Sequence, residues 1–318
     1  MDEKVTIQLA CRGGEIGRRA GFRNLWSNPW RFDSSPRHLH HTYFQCYAVI
    51  SMRRLLVLFV VFLLFVSFVP FVQADSERAY QDYLYQFDLY RQKNSEFTVA
   101  RNEYEKFKSL SSQTTALEKT TAMLSQRDLL IRAYLLLLNE KLNEDRGLPL
   151  TDKSTYQTLI GNEVLFLEGH SKLVGSIGSL EDANNVSKDL ESHNAVLQAS
   201  IRQTITGISL GSLAVLSRQF DTVFADAKAI ISNNRGTFTP QKQATIDRWI
   251  IQIQNIRSLY QQKIDSINRQ NAQVRGTSID TQDELFRTMK NDLAQARQYL
   301  SEGSAFIGEL LDSLRFQN

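Results

Sequence analysis

Beyond residue 75, apolar side chains recur at intervals of seven, and that interval restricts the chain to one class of fold. Tyr83, Tyr90, Phe97 and Tyr104 stand seven apart, with Tyr80 and Phe87 on the neighbouring track. Leu117, Leu124, Ile131 and Leu138 repeat the spacing, as do Ile246, Ile253, Tyr260, Ile267 and Val274. Seven residues is close to two helical turns, so each series lines one face of a long helix. Beyond residue 74 the only prolines are Pro149 and Pro240, and both fall where the periodicity breaks. A sandwich or barrel would need a turn signal about every 8–12 residues. The expected fold is all-α: an elongated antiparallel helical bundle of coiled-coil hairpins, with about six long helices after an N-terminal apolar segment.

The breaks place the helices. A first helix is expected from about residue 76 to 110, its second track interrupted by Asn94 and Arg101. Ser111 to Thr115 form a polar break, and a second helix carrying Tyr134, Leu135 and Leu142 folds back on the first. Gly147-Leu148-Pro149 ends it, with the glycine as the stop. Thr151 or Asp152 caps a third helix with Tyr156, Ile160, Leu167, Val174 and Ile177 on its face. Ser179-Leu180-Glu181-Asp182 resembles a capping box and opens a stretch reaching residue 231, read as one bent helix or two. Its stripe runs through Leu190, Leu197, Ile201, Ile208 and Val215. Leu213, Leu216, Phe220, Val223, Ala227 and Ile230 carry it onward. Gly207 and Gly211 lie in a charge-free patch, Thr204 to Ser217, that is too short to span a membrane and suits close helix packing or a kink.

Thr239-Pro240 supplies a cap and a proline at the first helical position of the next helix. After a break at Arg275-Gly276, with Ser278 or Asp280 as cap, the last helix has the most regular pattern. Phe286, Met289, Leu293, Ala296, Leu300, Gly303, Ile307, Leu310 and Leu314 alternate three and four apart, as in a coiled-coil seam. Residues 235–275 hold seven basic and two acidic side chains, and residues 280–315 hold seven acidic and four basic. A basic helix followed by an acidic one predicts an antiparallel pair with complementary flanks.

The destination of the chain is written in residues 52–74. Arg53 and Arg54 precede an uncharged apolar run from Leu55, Pro70 breaks it, and Val72-Gln73-Ala74 offers a cleavage site before Asp75. This is the layout of a secretory signal peptide, with the cut expected between Ala74 and Asp75. The alternative is an uncut single transmembrane helix, residues 55–74 holding the protein to the membrane, since a run of this length could cross the ~30 Å hydrocarbon layer. Both place residues 75–318 outside the cytoplasm, secreted or at the cell envelope. Residues 1–51 differ in composition, holding both cysteines and two of the three tryptophans, and read as a disordered or wrongly assigned N-terminal extension with Met52 as the true start. The expected organisation is therefore 1–51 extension, 52–74 signal or anchor, 75–147 helical hairpin, 148–236 central helices and 237–318 C-terminal helical hairpin.

Catalytic, cofactor and metal motifs do not emerge from this sequence. Beyond residue 74 it has no cysteine and two histidines, His170 and His193, too far apart for a zinc pair at helical spacing. His193 is expected at the edge of a seam. The aromatic ladder of the first helix reads as a seam against the second, with a flat-ligand platform as the alternative. Residues 75–318 carry 28 basic and 30 acidic side chains, so the basic balance of the whole sequence comes from its N-terminal part and gives no case for nucleic acid. The expected role is non-catalytic: a structural, scaffolding or adhesive element of the cell envelope that binds itself or another exported protein through its helix faces. An extracytoplasmic sensor and a membrane-active bundle are the alternatives.

Overall fold

The computed structural model describes residues 75–315, an all-α molecule of six long helices with no strand among the described residues. The helices are α1 (Asp75–Phe107), α2 (Leu110–Glu144), α3 (Leu150–Gly175), α4 (Leu180–Asn234), α5 (Pro240–Gln273) and α6 (Ile279–Arg315). A 3-10 turn at Arg235–Thr237 joins α4 to α5. The segment at 52–74, read above as a signal or an anchor, and residues 1–51 lie outside the described residues. Among the described residues no helix is long and apolar enough to cross a membrane.

Local chemistry sets most of the helix ends. Thr239 accepts from the Lys242 amide, with Pro240 in the first turn of α5, and Gly276, at φ +83°, ends the path out of that helix. Of the two candidate caps for α6, Ser278 is the one used, accepting from the Thr281 amide at 3.3 Å. Ser179 caps α4 through the Asp182 amide at 3.1 Å, while the Asp182 carboxylate accepts from Gly178 rather than closing the reciprocal box.

Other ends differ from expectation. The first break falls at Lys108-Ser109, not at residues 111–115. Lys108 takes a positive φ of 48° and bonds back to Tyr104, and Ser109 and Ser112 form a capping box. Thr114 and Thr115 then sit inside α2, their hydroxyls returned to carbonyls one turn earlier. The second break is made by Asp145, whose carboxylate accepts from the Gly147 and Leu148 amides at 2.8 and 2.7 Å. Gly147 serves packing instead: a Cβ there would strike the backbone of Gly211. Helix α3 begins one residue before the expected caps, at Leu150, with Pro149 preceding it and no side-chain cap.

The stretch from 180 onward is one helix. At 55 residues, α4 extends about 80 Å at 1.5 Å per residue and is the spine of the molecule. Helices α2 and α3 pack on its N-terminal part, α5 and α6 on its C-terminal part, and α1 packs chiefly on α2. The α1–α2 and α5–α6 pairs are antiparallel hairpins, whereas α2 and α6 both run parallel to α4. Lys263 of α5 meets Asp292 of α6 at 2.8 Å, while Arg257 of α5 pairs with Asp221 of α4.

The charge-free patch has its reason here. Where the two packing regions overlap, α4 is covered on nearly every side, and Leu197–Arg202 and Thr204–Ile208 are buried. A helix buried all round has no polar face to present. Gly207 lies against the Tyr156 ring of α3, and Gly211 against the Asp145 carboxylate. Side chains at these two positions would push the loop after α2, and α3 itself, away from the spine.

Candidate functional site

The seam positions fall mostly in the interior. Tyr83 and Phe97 of α1 are buried, as are Leu124, Ile131 and Leu138 of α2. In the C-terminal half Ile246, Ile253, Tyr260 and Ile267 are buried, together with Leu300 and Ile307. Phe87, Tyr90, Tyr104, Phe286, Leu293 and Leu314 are half-buried. Leu117 is half-buried too, and its neighbour Ala116 takes the interior place. The Tyr83 ring contacts Tyr134 of α2 at 5.4 Å and Phe87 at 6.5 Å, so the aromatic ladder packs within the hairpin. Asp75 begins α1 in an exposed position, and Ser76 beside it is buried, fastened to Glu144 by its amide at 3.2 Å and its hydroxyl at 2.6 Å.

One stripe of α4 departs from its expected role. Leu213, Phe220 and Ala227 enter the core with α5 and α6, but Leu216, Val223 and Ile230 remain 42%, 48% and 50% exposed. The cause is the length of α2 and α3. The loop joining them meets α4 at Gly211, and Arg218 donates to the Arg146 carbonyl at 2.9 Å. Past that point only α5 and α6 cover the spine. Leu216, Phe220 and Val223 of α4, with Leu300 and Ile307 of α6, line an open groove of about 430 Å³ there. Ser301 and Ser304 supply a low wall, and Arg297 is the charged residue on its rim.

The N-terminal half buries something else. Three of its helices carry polar residues at interior heptad positions. In α3, Glu163 and His170 alternate with Ile160, Leu167 and Val174. In α2, Asp128 lies between Leu124 and Ile131, and in α4, His193 and Ser200 alternate with Leu190 and Leu197. Asp128 Oδ2 lies 2.7 Å from His170 Nδ1, and His170 Nε2 lies 2.9 Å from the Val186 carbonyl of α4. The Glu163 carboxylate takes His193 Nε2 at 2.7 Å and the Ser200 hydroxyl at 2.9 Å. Phe166 stands between the two histidines, stacked on His193 at 3.7 Å and lying 6.0 Å from His170.

Both ring nitrogens of His170 are taken up by these contacts, while Asp128 Oδ1 is buried without a hydrogen-bond partner. The Ser171 hydroxyl donates to Asp128, the same carboxylate that holds His170, and His170 Nε2 faces a carbonyl, so no nucleophile stands at the base. Burial pulls the His170 imidazolium down, but its hydrogen bonds to Asp128 and Val186 outweigh that and hold its pKa above the ordinary 6.5. Nearby, Arg127 donates to the Ser187 hydroxyl at 3.4 Å, and burial lowers its own pKa. Among the described residues no group of three or more His, Cys, Asp or Glu is placed to hold a metal ion. Where the halves overlap, Arg202 bonds Gln282 and Asp283 of α6, and Asn271 of α5 bridges Tyr156 of α3 and Gln203 of α4.

Sequence reasoning passed over Asp128, Glu163 and Ser200. The signal for them was present: polar residues on three-four tracks otherwise filled by leucine and isoleucine. No protein-family model, curated protein or solved structure matches this chain.

Proposed function

We propose that this chain is a non-catalytic scaffold of the cell envelope, exported by the segment at 52–74 or tethered by it, which joins a second polypeptide through the α4–α6 groove. The partner is another copy or another exported protein that presents an apolar helix face. One observation carries the reading: Leu216, Val223 and Ile230, at heptad spacing, stay half-exposed along the spine where α2 and α3 end. A partner helix laid there would remove apolar surface from water at roughly 25 cal/mol per Å². Supporting the exported location are Arg53-Arg54 and the apolar run that follows them.

A photoreactive residue in place of Val223, in cells, is expected to crosslink the chain to itself or to one exported protein. The same residue at Tyr85, exposed on α1 in the other half of the molecule, gives no such product. Equal crosslinking from both positions, or none from 223, would remove the reading. Val223→Glu is expected to abolish the crosslinked partner's co-purification while changing folding stability by only about 0.5 kcal/mol, as for a surface position. N-terminal sequencing of the exported protein separates signal from anchor: Asp75 as first residue means a cut chain.

A further inference from the structure

His170 lies where three helices meet, with its side chain 0% exposed and that of Asp128 1%. Its two ring nitrogens both face acceptors, a carboxylate on α2 and a backbone carbonyl on α4. A neutral imidazole has one N–H and one lone pair, so it satisfies one of these acceptors and sets its lone pair against the other. Only with the extra proton held in the pair are both contacts favourable. The surroundings are Arg127 and Asp128 from α2, and Phe166 and Ser171 from α3. From α4 come the Val186 carbonyl, Ser187 and Glu191, and from α1 comes Tyr90. Arg127 opposes the imidazolium, and Glu191 and Tyr90 interact with Arg127 rather than with the ring.

We propose that His170 is a proton-dependent latch on the end of the bundle where α3 turns into α4. With the proton, it ties α2 to both α3 and α4. Without it, one of the two ties becomes a repulsion, and the end of the bundle loosens. Because the ring has no contact with solvent, proton loss and opening of this end are coupled: each favours the other. The apolar packing beyond the latch is a small cluster of Phe97, Met123, Leu124, Val174 and Ala183, far less than the core around α5 and α6. Such a cluster sits at the low-stability end of a fold. The raised pKa sets the sign. The tie is fully present below 6.5 and is lost as pH rises through the higher value held in the folded chain.

The test is carried out on the unmodified protein across pH 5.5 to 9. Ring carbon and nitrogen NMR signals of His170 are followed alongside amide exchange, expressed as protection so that the intrinsic pH dependence of exchange is removed. His170 is expected to titrate in one step above 6.5. Over that same step, protection of residues 174–190 should fall several-fold, while residues 253–260 of α5 stay constant. His193→Gln should keep this behaviour, and His170→Gln should make protection of 174–190 independent of pH. Titration of His170 at or below 6.5, or constant protection of 174–190 through its step, overturns the latch even where the His170 variant does not fold.

Discussion

The two halves of the molecule share the helix α4 and differ in what they bury along it. Around the C-terminal part of the spine the interior is a run of aliphatic and aromatic residues, Ile246, Ile253 and Tyr260 against Phe220, Leu300 and Ile307. Around its N-terminal part, leucine and isoleucine alternate with Asp128, Glu163, His170 and Ser200. An apolar seam gains free energy from area and tolerates a shift of register by one heptad. A carboxylate–histidine pair has one partner at one height. The comparison suggests a division of labour: the apolar half supplies cohesion, and the polar half fixes how α2, α3 and α4 are aligned. The fixed half also determines where α2 and α3 end on α4, and therefore where the groove begins.

Four substitutions, two of them combined in one variant, test that division. The largest effect is expected from Asp128→Leu, which leaves His170 buried without its counter-charge and should cost about 3–5 kcal/mol in chemical denaturation. Adding His170→Leu to it should return much of that loss, since an apolar pair leaves no buried charge there. If the double variant is as unstable as the single, the pair supplies cohesion after all. Next is Ile253→Ala in the apolar half, at 0% exposure, with an expected loss of about 2–5 kcal/mol. Amide exchange should place that loss in α5 and α6, with residues around Leu135 less affected. A uniform loss would mean that α4 couples the halves into one cooperative unit. The smallest is Ser179→Ala, which removes the cap of the spine and should cost about 1 kcal/mol, confined to the first turns of α4.

Much of this architecture was legible beforehand because helix formation and its interruption are local. The spacing of Ile246, Ile253 and Ile267, the Thr239-Pro240 start and the Gly276 stop all act within a few residues of themselves. The misread ends have a common cause. Ser111 to Thr115 look like a loop by composition, yet their hydroxyls can return to the helix's own carbonyls, so polarity alone does not break it. Gly147 looked like a helix stop, but Asp145 stops the helix and the glycine answers to Gly211, 64 residues away. Polar residues on the heptad tracks of α2, α3 and α4 were readable as exceptions, but not as pairs, because pairing needs the relative heights of three helices.

By itself, then, the sequence determined that this protein is a set of long helices and which face of most of them is apolar. Those properties depend on hydrogen bonds and side-chain spacing within a turn or two. Only the tertiary structure decided that residues 180–234 form one spine, that Thr204–Ile208 is buried all round, and that Leu216, Val223 and Ile230 are not. The apolar stripe of α4 is core at Leu190, Leu197, Ile201 and Ile208, and beyond residue 213 one of its two tracks turns to the surface. The difference lies in how far neighbouring helices reach, which no residue of the stripe encodes.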